Sequence, residues 1–119
     1  MNESVLKIKS FAFAVRIVRL FQHLQTMRKE YVLAKQLLRC GTSVGAMIRE
    51  AEYAESKSDF IHKMAIAQKE VNEALYWLDL LAATDYLTLK EAESLKADAV
   101  ELLKMLTSTI KTTKANLSK

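Results

Sequence analysis

Proline is absent from this 119-residue chain, and there are only two glycines and one cysteine. A β-sandwich or barrel needs turn residues at short, regular intervals, and this composition does not supply them. Half of the residues are hydrophobic and about a quarter are charged, which argues against disorder and collagen-like repeats. What is left is an all-α protein. A single domain spanning residues 1–119 is long enough to bury a substantial core without staples. The lone Cys40 has no intrachain partner, and its apolar flank marks it as a reduced, buried thiol. His23 and His62 are too distant in sequence to argue for activation of that thiol.

Long uncharged runs are also missing. Phe11 to Leu24 is apolar but carries Arg16, Arg19 and His23, and no small-residue cleavage site follows it. These features argue against a membrane span and a signal peptide, and they favour the cytoplasm. The net charge of +4 is unevenly spread. Residues 1–55 hold nine Lys/Arg against five Asp/Glu, whereas residues 56–119 hold nine of each. The basic excess therefore belongs to the first half.

Four segments carry helical periodicity, at about 4–27, 29–54, 58–83 and 88–115. The first has two apolar faces: Ile8, Phe11, Val15, Val18 and Gln22 on one, and Phe13, Ile17, Leu20 and Leu24 on the other. The second has an apolar arc around Ala34, Leu37, Gly41, Val44, Ile48 and Ala51, wide enough to need two neighbours. In the third, Phe60, Met64, Ala67, Val71, Leu75, Leu78 and Ala82 form the expected core stripe. Ile66, Trp77 and Leu80 lie on roughly the opposite side, as candidates for a subunit interface. Ser56-x-x-Asp59, with Ser58 as an alternative cap, and Thr88-x-x-Glu91 read as capping boxes that open the third and fourth helices. The final stretch, Lys111 to Lys119, has three lysines and no acid. Short connections between such helices predict an antiparallel up-down-up-down four-helix bundle.

Catalytic chemistry finds little to stand on. A di-iron bundle needs Glu-x-x-His on two helices, and neither histidine follows a glutamate at that spacing. No metal, cofactor or catalytic residue is therefore expected. Gly41-Thr42-Ser43-Val44-Gly45 has the composition of a phosphate loop, but no strand precedes it and no Lys-Ser/Thr follows. Glycines four apart share one helix face, so Gly41 and Gly45 read as a groove for close helix packing. Gln68 falls in the core stripe of the third helix and Glu50 on the apolar flank of the second. A structural hydrogen-bond network with Ser43, Asn72 and an arginine, Arg39 or Arg49, is the expected use for them. The basic stripes remain. Lys9, Arg16 and Arg19 in the first helix, with Lys35, Arg39 and Arg49 in the second, are candidate contacts to RNA or DNA phosphates. The competing reading pairs them with nearby glutamates and leaves a protein-interaction scaffold.

The run Leu37-Leu38-Arg39, Gly41-Thr42-Ser43-Val44-Gly45-Ala46 and Ile48-Arg49-Glu50-Ala51-Glu52-Tyr53-Ala54 resembles a bacterial family of four-helix-bundle proteins. So do Ser56, Asp59-Phe60-Ile61-His62-Lys63, Lys69-Glu70, Glu73 and Tyr76-Trp77-Leu78 downstream. Some members of that family are encoded by intervening sequences within 23S ribosomal RNA genes. The resemblance implies a ring-shaped homopentamer without enzyme activity. It also implies kinship in fold with a basic, nucleic-acid-binding accessory protein of diversity-generating retroelements. Where the family usually has asparagine after the Gly-Ala pair, this chain has Met47.

Overall fold

The computed structural model describes residues 3–117, with side chains from Val5 onward. Within that range lie α1 (Glu3–Met27), α2 (Val32–Ala51), α3 (Lys57–Ala83) and α4 (Leu89–Leu117), and no strand. Each helix packs on its neighbours in the chain, and α1 meets α4 to close the ring. The result is an all-α, antiparallel up-down-up-down bundle. Lys119, one of the three lysines of the final stretch, lies outside the described residues.

α2 is shorter at both ends than its periodicity predicts, for local reasons. Lys29 adopts a left-handed conformation (φ 56°), which breaks the helical path after α1. The Glu30 N–H donates back to the Leu24 carbonyl (3.0 Å), while the Glu30 carboxylate accepts from the N–H groups of Leu33 and Ala34 (3.2 and 2.8 Å). An acid thus satisfies orphan donors at a positive helix end, where Tyr31 offers no side-chain cap. Beyond Ala51, Glu52, Tyr53 and Ala54 close tighter turns onto Arg49, Glu50 and Ala51.

The remaining ends follow the capping motifs. Thr88 and Glu91 exchange both bonds of a capping box (2.9 and 3.1 Å). The Thr88 backbone N–H, helped by its hydroxyl, holds the Glu91 carboxyl below its usual range. Ser56 Oγ accepts from the Asp59 N–H (3.0 Å), but Asp59 reaches past Ser56 to accept from the Glu55 N–H (3.1 Å). α3 ends in a Schellman turn with Asp85 left-handed (φ 68°), its N–H bonded to Ala82 and that of Tyr86 to Leu81.

The core follows a seven-residue repeat. α2 buries Ala34, Leu37, Gly41, Val44, Ile48 and Ala51, and α3 buries Met64, Ala67, Val71, Ala74, Leu78 and Leu81. In α3 this corrects the expected stripe, because Ala74 and Leu81 take the places assigned to Leu75 and Ala82. A 3.5-residue spacing keeps one seam facing its partners, whereas a 3.6 period drifts off it. Of the two apolar faces of α1, Phe13, Ile17 and Leu24 point inward with Leu6. The other face stays outside: Ile8 is 69% and Phe11 58% exposed, with Val15 and Val18 continuing the line.

The two glycines of α2 are not equivalent. A Cβ on Gly41 would stand 2.9 Å from both Cγ atoms of the buried Ile17, a distance that packed atoms do not tolerate. A Cβ on Gly45 would lie 3.5 Å from Ser10 Oγ, an ordinary contact. Close packing of α1 on α2 therefore requires the first glycine only. Thr42 and Ser43 between them bond back to the Leu38 and Arg39 carbonyls (2.7 Å each), as helical hydroxyls can. Gly41→Ala should destabilise the fold by about 1–3 kcal/mol through overpacking. Gly45→Ala should instead stabilise it by up to about 1 kcal/mol, because helix propensity improves without a clash. Urea unfolding of the two variants checks the opposite signs.

Candidate nucleic-acid interface

Six basic side chains of α1 and α2 make up the candidate interface, and the fold divides them into two sets. Lys9 pairs with Glu101 (3.0 Å), and Arg16 pairs with Asp98 (2.5 Å) while also donating to the hydroxyl and carbonyl of Ser94. Both pairs lie across the α1–α4 seam, which is the most sparsely packed in the bundle. Arg39 reaches from α2 to Glu73 (2.5 Å) and Glu70 (3.4 Å) on α3. These three cations hold helices together.

Arg19, Lys35 and Arg49 form no ion pair with a described residue. All three are exposed. The Arg49 guanidinium lies 5.8 Å from the Phe11 ring, and Lys35 Nζ lies 5.5 Å from the Tyr31 ring. Tyr31 in turn packs against Phe21 of α1. Arg49 therefore borders the outward apolar face of α1, while Lys35 lies over the start of α2.

Other predicted groupings separate in space. Ser43, Glu50 and Gln68 form no shared network. Ser43 bonds to Arg39 of its own helix, Glu50 is exposed and pairs with Lys63, and Gln68 donates to Thr107 on α4 (2.8 Å). The apolar flank that suggested a network is narrower than periodicity implied, so each group reaches a local partner. Met47 is half-buried against the core. Ile66, Trp77 and Leu80 on α3 are half-buried within the protomer, with Trp77 packed on the core and edge-on to Tyr76 (centroids 5.0 Å). Cys40 is fully buried, and desolvation pushes its thiol up to about 12. No three His, Cys, Asp or Glu among the described residues cluster as metal ligands, and no helix there is long and apolar enough to cross a membrane.

Sequence reasoning missed Arg28. Its guanidinium donates to the carbonyls of Asp85 and Tyr86 (3.0 and 3.1 Å) and lies 5.0 Å from the Tyr86 ring. It ties the α1–α2 turn to the α3–α4 turn. No periodic pattern announces such a link, because its acceptors are backbone carbonyls.

Comparisons with known proteins agree with this architecture. A sequence model of the family described as 23S rRNA-intervening sequence protein matches residues 3–108. A crystal structure from Bacteroides thetaiotaomicron, described as a protein with unknown function from the S23 ribosomal protein family, is 53% identical. The match covers 93% of this chain and 99% of that one, with a TM-score of 0.92. No curated protein matches.

The Arg39 cluster makes a pH prediction. Glu73 accepts from the Trp77 indole N–H (2.9 Å) and from Arg39, and these bonds, the indole's first, hold its carboxyl below the ordinary 4.5. A carboxyl depressed in the folded state stabilises the fold above its unfolded pKa. That contribution is lost as pH falls from about 4.5 through the lower folded value. Glu73→Gln should lower the melting temperature at neutral pH, and the difference from wild type should shrink as the pH drops below that window. Thermal melts across the acid range measure it.

Proposed function

This chain belongs to the 23S rRNA-intervening sequence protein family, and from that premise we propose that it is a non-enzymatic, homo-oligomeric bundle that binds RNA or DNA. On this reading it works in the cytoplasm, through cations of α1 and α2. The observation that carries it is the set Arg19, Lys35 and Arg49, whose charges have no carboxylate partner among the described residues of the protomer. Lys9, Arg16 and Arg39 serve the fold first, so the phosphate-binding role falls to the other three. Three contacts per protomer are weak alone, and repetition around a ring multiplies them. Five copies, the number that the family resemblance implies, would carry about +20 in total.

The outward face of α1 supports the oligomer. Ile8, Phe11, Val15 and Val18 form a contiguous exposed apolar line on a small domain, which is the signature of an interaction surface. It is a better candidate for the subunit contact than the α3 residues, which are already half-buried in their own protomer. A second reading, a protein-interaction scaffold without nucleic acid, is favoured by the internal pairing of half the candidate cations.

Two measurements test these readings. Phe11→Glu with Val15→Glu should reduce the native mass to that of a monomer while helicity is kept. If Ile66→Glu dissociates the assembly and the α1 variant does not, the contact belongs to α3 instead. A monomeric wild type removes the oligomer altogether. Arg19→Glu with Arg49→Glu should weaken binding of a structured RNA about tenfold or more at low salt, since each reversal removes one phosphate contact and adds repulsion. Absence of wild-type binding at low salt, or an affinity indifferent to salt, leaves the scaffold reading.

A further inference from the structure

The trough between α3 and α4 carries a second set of groups suited to nucleic acid. Tyr76 on α3 is 58% exposed at one end of it, with Asn72, Gln68 and Lys69 following along the same helix. Leu103 and Thr107 of α4 form its other wall, and these two residues also line the adjoining depression that contains Lys104 and Lys111. The two open depressions adjoin at Leu103 and Thr107, a channel in two parts with Tyr76 in the first and Lys69, Lys104 and Lys111 divided between them.

Its electrostatics favour an anion. Lys69, Lys104 and Lys111 pair with no carboxylate among the described residues. The one acid on the channel wall, Glu73, is neutralised by Arg39 and bonded by the Trp77 indole. Asn72 is exposed, and Gln68 uses its amide N–H on Thr107, which leaves its carbonyl oxygen to accept. The Tyr76 ring lies edge-on to Trp77, and more than half of the residue's surface is exposed to solvent.

We propose that this channel binds single-stranded nucleic acid, with a base stacked on Tyr76 and phosphates contacted by Lys69, Lys104 and Lys111. Stacking on an aromatic ring requires an unpaired base, whereas lysines alone accept any phosphate backbone. The combination therefore selects single strands over duplexes. It rests on the reading of the protein as a nucleic-acid binder, and it adds a surface separate from Arg19, Lys35 and Arg49.

The test uses the full chain and three labelled probes: a 12-nucleotide uridine-rich RNA, the DNA of the same sequence, and a duplex of equal length. Tyr76→Ala should weaken single-strand binding about tenfold, since one stacked base is worth that much, and should change duplex binding less than twofold. Tyr76→Phe should restore the single-strand affinity. Lys104→Ala with Lys111→Ala should reduce the salt slope for single strands by about 1.4, at about 0.7 per phosphate contact. Trp77, the only tryptophan, reports occupancy directly, because its emission should change on adding single strands and stay constant with duplex. RNA and DNA affinities that agree within about twofold indicate recognition by stacking and phosphate alone; a larger preference for RNA adds a 2′-hydroxyl contact in the same channel. Unchanged single-strand binding in Tyr76→Ala overturns the proposal, as does an equal loss for duplex. If those variants bind normally while Arg19→Glu with Arg49→Glu does not, the channel fails and the α1–α2 reading stands. If the wild type binds no probe at low salt, both fall together.

Discussion

The bundle depends on one missing carbon atom. Ile17 of α1 occupies the space that a side chain at position 41 of α2 would need. Helix-interior glycine costs about 1 kcal/mol relative to alanine, so its presence reflects a contact that no other residue permits. With Ile17 seated there, the rotation of α1 about its own axis is set. Phe13, Ile17 and Leu24 must face inward, and Ile8, Phe11, Val15 and Val18 must face out. The exposed apolar line is thus a consequence of the closest internal contact.

The same rotation decides which charges are available. Once α1 is fixed, Lys9 and Arg16 point toward α4 and meet Glu101 and Asp98, while Arg19 faces solvent. Exposed ion pairs of this kind contribute little to stability one at a time. Their value lies in position, because the α1–α4 seam has no connecting loop and is the most sparsely packed in the bundle. Arg39 does similar work between α2 and α3, with Glu73 shared between the guanidinium and the Trp77 indole. Basic residues that look alike in the sequence therefore divide into those that organise the protomer and those that face outward.

Much of the fold was legible because helical periodicity and capping chemistry agree. The positions of α1, α3 and α4, the Ser56 cap and the Thr88–Glu91 capping box could be read from apolar spacing and residue type, although Asp59 bonds to the Glu55 N–H and leaves the first box incomplete. The ends of α2 could not, since Lys29 adopts a left-handed turn usually given to glycine and Glu30 caps from outside the helix. The one-residue error in α3 arose because a 3.6 period was read where the packing follows 3.5. For the candidate interface, residue type identified the six cations, but pairing depends on which residues face each other across a seam. A single sequence carries no such information. The absent Ser43–Glu50–Gln68 network has the same origin: sharing an apolar flank does not bring Ser43 and Glu50, two turns apart on α2, within reach of each other or of Gln68 on α3.

The link made by Arg28 has a mechanical consequence. The α1–α2 and α3–α4 turns lie at one end of the bundle, and Arg28 fastens them to each other through the carbonyls of Asp85 and Tyr86. The outer ends of α1 and α4 lie at the opposite end of the bundle, beside the α2–α3 turn. Tension applied across those two ends would peel α1 from α4 one heptad layer at a time, opening the bundle like a zipper. The final layer to part would be the one that Arg28 holds shut.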